Sequence, residues 1–149
     1  VQYFMSHFSG PPDLHERPLL LADPPLACDK LNNAEEIRYG TQGVRGALHP
    51  LSWSLIVSLC FPRRNKSAVV MVRRGECTFG TKARRAVEAG ASTVIYINDR
   101  EGLQHASGPD AHDLDICAVM ISQVEGDLLW SEIERTSKVC GGGRSPVAR

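Results

Sequence analysis

Residues 68–98 read Ala68-Val69-Val70-Met71-Val72-Arg73-Arg74-Gly75-Glu76-Cys77-Thr78-Phe79-Gly80-Thr81-Lys82-Ala83-Arg84-Arg85-Ala86-Val87-Glu88-Ala89-Gly90-Ala91-Ser92-Thr93-Val94-Ile95-Tyr96-Ile97-Asn98. Ala68–Val72 is a β-branched run bounded by polar residues, apolar throughout, and so predicts a strand buried on both faces. Arg74–Gly80 is a turn, and Thr78 or Thr81 supplies the N-cap of a helix running to Ala89. Ala83, Ala86, Val87 and Ala89 form a narrow small-residue face at helical spacing, which predicts close approach to a sheet. Gly90 stands where a left-handed residue ends a helix. Thr93–Ile97 is a second buried strand, stopped by Asn98-Asp99. Strand, turn, helix, glycine and strand make one βαβ unit with parallel strands.

Outward from this unit the chain repeats the theme more weakly. Pro18–Ala22 is a short strand closed by Asp23-Pro24-Pro25. Residues 40–50 hold glycines and a proline and read as loop. Residues 98–115 are polar and contain glycine and proline, a length that goes with function or mobility. Ala118–Ser122 is a third strand, and Gly126–Ile133 a short helix with Leu129 and Ile133 four apart. From Gly141 the chain is linker-like. The expected organisation is therefore one domain over residues 1–140 with a tail over 141–149.

Composition fits a globular domain: of 149 residues, 42% are apolar and 23% charged, and this length buries a core without metal or disulfide support. Nothing at Val1 reads as a signal sequence, but the chain reads as an excerpt of a longer protein, so that absence says little about compartment. The longest apolar stretch, Leu48 to Phe61, is broken by Pro50 and serines and is too short to span a bilayer. Net charge is zero but unevenly spread: residues 63–85 carry eight bases and one acid, Glu76, whereas residues 86–149 carry ten acids and five bases. A basic band can bind phosphate or nucleic acid. Its one aromatic, Phe79, gives no stacking platform for a single strand. A solvated face balanced by the acidic C-terminal half is the simpler reading, with no nucleic-acid partner.

Five cysteines, Cys28, Cys60, Cys77, Cys117 and Cys140, include no C-x-x-C pair, which argues against a zinc ribbon or a thioredoxin-like redox pair. Asn65-Lys66-Ser67 is an N-glycosylation sequon and agrees with a secretory setting. The turn Gly75–Lys82 stands where a nucleotide-binding P-loop would stand, but its last pair is inverted, Thr81 then Lys82, which turns the lysine about 100° from the phosphates. Cys77 near a helix N-terminus and basic residues has the surroundings of an activated thiolate. It lacks a base nearby in sequence, and a structural half-cystine is the simpler reading. His105, Asp110, His112, Asp113 and Asp115 match neither a helix face nor a tight chelating turn, so neither metal nor cofactor is expected. No nucleophile elbow or zinc-protease motif occurs, and no catalytic residue is assigned.

The spaced pattern Arg74-Gly75-x-Cys77-x-Phe79-x-x-Lys82-x-x-x-Ala86-x-x-Ala89-Gly90-Ala91-x-x-Val94-Ile95-x-x-Asn98 resembles the core signature of protease-associated (PA) domains. Two further blocks agree. Ala22-Asp23-Pro24-Pro25-x-Ala27-Cys28 resembles the upstream segment of RING-ligase and receptor-like members, and Ala118–Ser122 with Gly126 and Leu129 resembles the last strand and helix. The resemblance spans about residues 18 to 133. It implies an α/β fold, a compact β-sheet or open β-barrel flanked by short helices. It also implies a Cys28–Cys77 disulfide, and a non-catalytic module binding a peptide or protein on the lumenal or extracellular side of the endomembrane system. The parent chain would be membrane-anchored outside this segment: a vacuolar sorting receptor or PA-transmembrane-RING ubiquitin ligase first, and a signal-peptide-peptidase-like or subtilisin-like protease second. Within the motif Phe79 anchors the turn, Ala86 and Gly90-Ala91 allow close packing, and Lys82 extends its aliphatic stem across the packed face.

Two departures stand out. Cys117 replaces a proline usual in the family. Between Ile37 and Lys66 the likeness lapses, and residues 43–64 read as an insertion of exposed apolar character. The expected ligand groove lies beside the loop after the second strand, at Asp99, Arg100, Glu101, His105, Asp110, His112 and Asp113, with Ala22–Cys28 as a second wall. Its acidity predicts a basic or polar peptide, released as His105 and His112 gain charge near pH 5–6.

Overall fold

The structure is a computed structural model that describes residues 3–5, 17–39, 44–45, 67–103, 106 and 109–140. Its elements are β1 (Tyr3–Met5), β2 (Pro18–Leu21), α1 (Ala34–Tyr39), β3 (Val44–Arg45), β4 (Val69–Arg73), α2 (Phe79–Ala89), β5 (Thr93–Ile97), a 3-10 turn (Pro109–Ala111), β6 (Cys117–Ile121) and α3 (Gln123–Cys140). The strands form one six-stranded open sheet in the order β1-β6-β5-β4-β2-β3. Its four central strands are parallel, in registers such as Leu20 opposite Val70, Val70 opposite Val94, and Val94 opposite Ala118. The edge strands β1 and β3 run antiparallel to β6 and β2.

Strand alternation sorts the central side chains into two cores. Leu20, Val70, Val72, Val94, Tyr96, Ala118 and Met120 face one side with Ile37 of α1 and Ala83, Ala86 and Ala89 of α2. Met71, Ile97 and Ile121 face the other, against Trp130 and Ile133 of α3. Both faces are covered, so the parallel strands are apolar throughout.

The βαβ unit forms where the sequence placed it. Thr78 is the N-cap, its hydroxyl accepting from the Thr81 backbone N–H at 3.1 Å. Gly90 ends α2 at φ 85° and donates its N–H to the last carbonyls. The buried face of α2 holds Lys82 with the three alanines, whereas Val87, expected on that face, is 38% exposed.

The flanks differ from expectation in ways that tertiary contacts explain. α1, absent from the sequence reading, shows one buried residue, Ile37, too little periodicity to see. It is tied on by the Asn33 side chain donating to Leu21 O at 2.7 Å and by Ala68 N–H donating to Ile37 O at 2.8 Å. Val44–Arg45, read as loop and then as the start of an insertion, pairs with Pro18 and Leu19 and so belongs to the sheet. The last helix runs from Gln123 rather than Gly126. Ser122 and Glu125 make a capping box, with Glu125 N–H donating to the serine hydroxyl at 3.3 Å and the hydroxyl donating to the glutamate at 2.9 Å. Gly126 lies inside α3 and lets it approach β5: a Cβ there would sit 2.3 Å from Ile97 Cγ2. Asn65, most of the proposed insertion, His105 and the tail lie outside the described residues.

Candidate functional site

The turns that leave β2, β4 and β5 stand side by side at the carboxyl edge of the parallel sheet, the edge where open α/β sheets place their sites. Backbone hydrogen bonds stitch them together: Ala22 N–H to Met71 O, Arg73 N–H to Pro25 O, Arg74 N–H to Ile97 O and Asn98 N–H to Ile121 O, at 2.8–3.1 Å. In the first turn, which contains a cis Asp23–Pro24 bond, Asp23 is held by Asn32 and Asn33. In the second, Gly75 at φ 132° and Glu76 at φ 61° reverse the chain. A side chain on Gly75 would be pressed to 3.3 Å from Leu26. Cys28 and Cys77 form a disulfide across these two turns, the pairing implied by the family resemblance. The thiolate reading of Cys77 is therefore overturned.

Lys82 is the one fully buried charged side chain among the described residues. Its ammonium donates to Leu26 O and lies 3.6 Å from Cys28 Sγ. Burial pulls its pKa down to about 8, opposed by the Glu76 carboxylate. The lysine that a P-loop would aim at phosphate is here turned into the fold, where it pins the β2 turn. Its head is enclosed as well as its stem, more than the expected stem packing.

Arg74 joins the second and third turns. Its guanidinium donates to Asn98 Oδ1 at 2.8 Å, lies 3.2 Å from Asp99 and stacks 5.5 Å from the Phe79 ring centroid. Asn98 in turn donates to Gly102 O at 2.7 Å. Phe79 packs on Tyr96 at 4.9 Å, and the buried Tyr96 hydroxyl donates to Phe79 O at 2.8 Å. Burial raises that hydroxyl's pKa far above the ordinary tyrosine value.

The loop residues expected to bind ligand fall into two groups with different anchors. Asp99 stands at Arg74, and Arg100 makes a long pair with it at 3.7 Å; Glu101 is exposed. Asp110 and Asp113 instead sit on α2. Asp110 accepts from the Thr78 hydroxyl at 2.5 Å over a glycine, Gly80, that leaves no room for a side chain. Asp113 takes two hydrogen bonds from Arg84, at 3.0 and 3.3 Å, and Arg84 also donates to Asp110 O. The Thr78 hydrogen bond holds the Asp110 carboxyl below the usual range, and the Arg84 hydrogen bonds do the same for Asp113. His112 is exposed. Much of the acidity the sequence displays is thus answered from within: Arg73 pairs with Asp127, Arg74 with Asp99 and Arg84 with Asp113. The basic band and the acidic C-terminal half are partners. Two features escaped the sequence reading, the Leu26 carbonyl beneath Lys82 and the Gly80–Asp110 contact. Only Gly80 left a trace there, as a glycine inside the first helical turn.

Among the described residues no group of three or more metal-ligating side chains comes together, and no helix is long and apolar enough to cross a membrane. The profile of the PA domain matches residues 16–129, from the segment before β2 into α3. The chain belongs to the PA domain family. Plant proteins match part of the chain: Signal peptide peptidase-like 2 of Arabidopsis thaliana is 41% identical over 92 residues, 58% of this chain and 17% of that protein. Signal peptide peptidase-like 3 of Oryza sativa subsp. japonica is 34% identical over 76 residues, 49% of this chain and 14% of that protein. The chain therefore spans under a fifth of the relatives it matches. An aminopeptidase from Aneurinibacillus sp. strain AM-1 superimposes with a TM-score of 0.54 at 20% identity, over 91% of this chain and 25% of that one. BSAP, a zinc aminopeptidase from Bacillus subtilis, superimposes with a TM-score of 0.51 at 20% identity, over 86% of this chain and 24% of that one. At that identity the likeness carries the fold alone, an α/β PA domain.

Proposed function

We propose that this PA domain is the lumenal, non-catalytic module of a signal-peptide-peptidase-like membrane protein, holding polypeptide for a protease centre elsewhere on the parent chain. The observation that carries the reading is the 41% identity with Signal peptide peptidase-like 2 over 92 residues. It moves the protease-accessory parent ahead of the receptor or RING-ligase parent that the sequence put first. The Ala22–Cys28 block still favours the second parent, and the open reading frame beyond Arg149 separates them. Several apolar spans with intramembrane aspartates support the protease; one span followed by a cysteine-rich zinc pattern supports the ligase.

Polypeptide is held at the carboxyl edge, beside Asp99–Glu101 and the start of the 109–116 segment, where Asp110 sits on the first turn of α2. Turns mounted on a rigid sheet there present exposed Glu101 and His112. With Asp99, Asp110 and Asp113 already engaged, the attraction for a basic peptide is modest. A photo-crosslinking residue at Glu101 or His112 should capture polypeptide in the full-length protein. The same residue at Asp115, just before the amino end of β6, should not. Equal capture at all three positions overturns the placement.

A further inference from the structure

The disulfide is electrostatically lopsided. Cys28 Sγ lies 3.6 Å from the buried Lys82 ammonium. The nearest carbonyl oxygens, Leu26 O at 3.7 Å and Gly75 O at 3.8 Å, oppose a negative charge on that sulfur. One of them, Leu26 O, is already taken up by Lys82. A full positive charge at this distance in a partly buried site outweighs the remaining carbonyl dipole. Cys77 sits in the opposite field. Glu76 precedes it, and the helix N-terminus that follows, which would otherwise stabilise a thiolate, is occupied by the Asp110 carboxylate on Thr78 and Thr81. Both cysteines are half-buried and within reach of solvent. Each also follows a non-glycine residue in the left-handed region, Ala27 at φ 49° and Glu76 at φ 61°, conformations that cost energy.

From this asymmetry we infer that the Cys28–Cys77 bridge is a site of directed thiol exchange, in which a small monothiol attacks Cys77 and Cys28 leaves as a thiolate held by Lys82. The attacking sulfur bonds to Cys77 Sγ as the Cys77–Cys28 bond breaks, and its electron pair departs with Cys28. The product is a mixed disulfide on Cys77. A second thiol attacking that mixed disulfide on the monothiol's sulfur releases Cys77 as thiolate, leaving two protein thiols and one oxidised disulfide of the monothiol. A leaving thiol of lower pKa leaves faster, so the preference is kinetic as well as thermodynamic. Opening uncouples the β2 turn from the turn before α2 and so loosens the carboxyl edge, whatever that edge binds.

Glutathione is the probe. The intact protein is exposed to a limiting amount, quenched by alkylation, and its peptides are mapped by mass. Glutathione should be found on Cys77 and the alkyl label on Cys28, by about fivefold over the reverse. In Lys82→Met the bridge should open about tenfold more slowly and the preference should disappear. In Asp110→Asn, which leaves Lys82 untouched, the share of glutathione on Cys28 should rise. Glutathione mainly on Cys28 in the parent overturns the inference, and so does an unchanged opening rate in a folded Lys82→Met. If that variant does not fold, the mapping in the parent and in Asp110→Asn decides alone.

Discussion

Gly80 lies directly beneath the Asp110 carboxylate: a methyl group on its Cα would come within 2.4 Å of Oδ1. The missing side chain in the first turn of α2 is the seat of the residue that satisfies that turn from outside. The loop after β5 is thereby fixed to the helix before β5, across 30 residues of sequence.

The contact makes a double-mutant prediction. Asp110→Ala should destabilise by about 1 kcal/mol, the usual worth of a helix N-terminal acceptor. Gly80→Ala alone should also destabilise, because the methyl displaces the carboxylate. In the Asp110→Ala background the same change should stabilise by up to about 1 kcal/mol, since alanine is the better helix former. Denaturant midpoints of the four proteins check the sign reversal.

A second glycine tests the other face. Gly126→Ala would drive a methyl into Ile97 Cγ2, a core side chain with little freedom, and should cost about 1–3 kcal/mol by overpacking. Combined with Ile97→Ala the total loss should be smaller than the sum of the two single losses, as read from thermal or denaturant unfolding.

Replacing both Cys28 and Cys77 by alanine removes a cross-link spanning 49 residues. The chain-entropy model puts the loss at about 4 kcal/mol. The variant should retain its far-ultraviolet dichroism in water while unfolding at much lower denaturant, because the two cores do not include the bridge.

Lys82 gives stability a distinctive alkaline dependence. Its folded pKa is about 8 against an ordinary value of 10.5. Below pH 8 both states hold the proton and the cost of burying the charge is constant. Between 8 and 10.5 the unfolded chain binds more protons, so stability rises with pH, by about 3 kcal/mol relative to Lys82→Met. Tyr96 acts oppositely above about pH 10, where an unfolded tyrosine ionises first; comparison with Lys82→Met at each pH removes that contribution. A flat difference between the two proteins from pH 7 to 10 would show that Lys82 is not desolvated.

The sequence by itself determined the elements whose order is local. The run Ala68–Val72, a cap at Thr78 or Thr81, the stop at Gly90 and the run Thr93–Ile97 each announce themselves, because β-branching, capping hydroxyls and left-handed glycine act within a few residues. The spaced motif carried the family and, through it, the Cys28–Cys77 pairing. Ser122 and Glu125 also announced the true start of α3, in a capping box that the sequence reading passed over. Tertiary structure alone decided the partners. The sequence cannot say that Lys82 turns inward to Leu26, since a lysine on a helix is ordinarily solvated and only the enclosing turn makes burial the better state. Nor can it say that Asp110 and Asp113 are spent on Thr78 and Arg84, because charge composition counts acids without their counterions. α1 depends on Asn33 and Ala68 for its hold, and β3 on pairing with β2. Those hydrogen bonds join residues far apart in the chain, and no local signal records them.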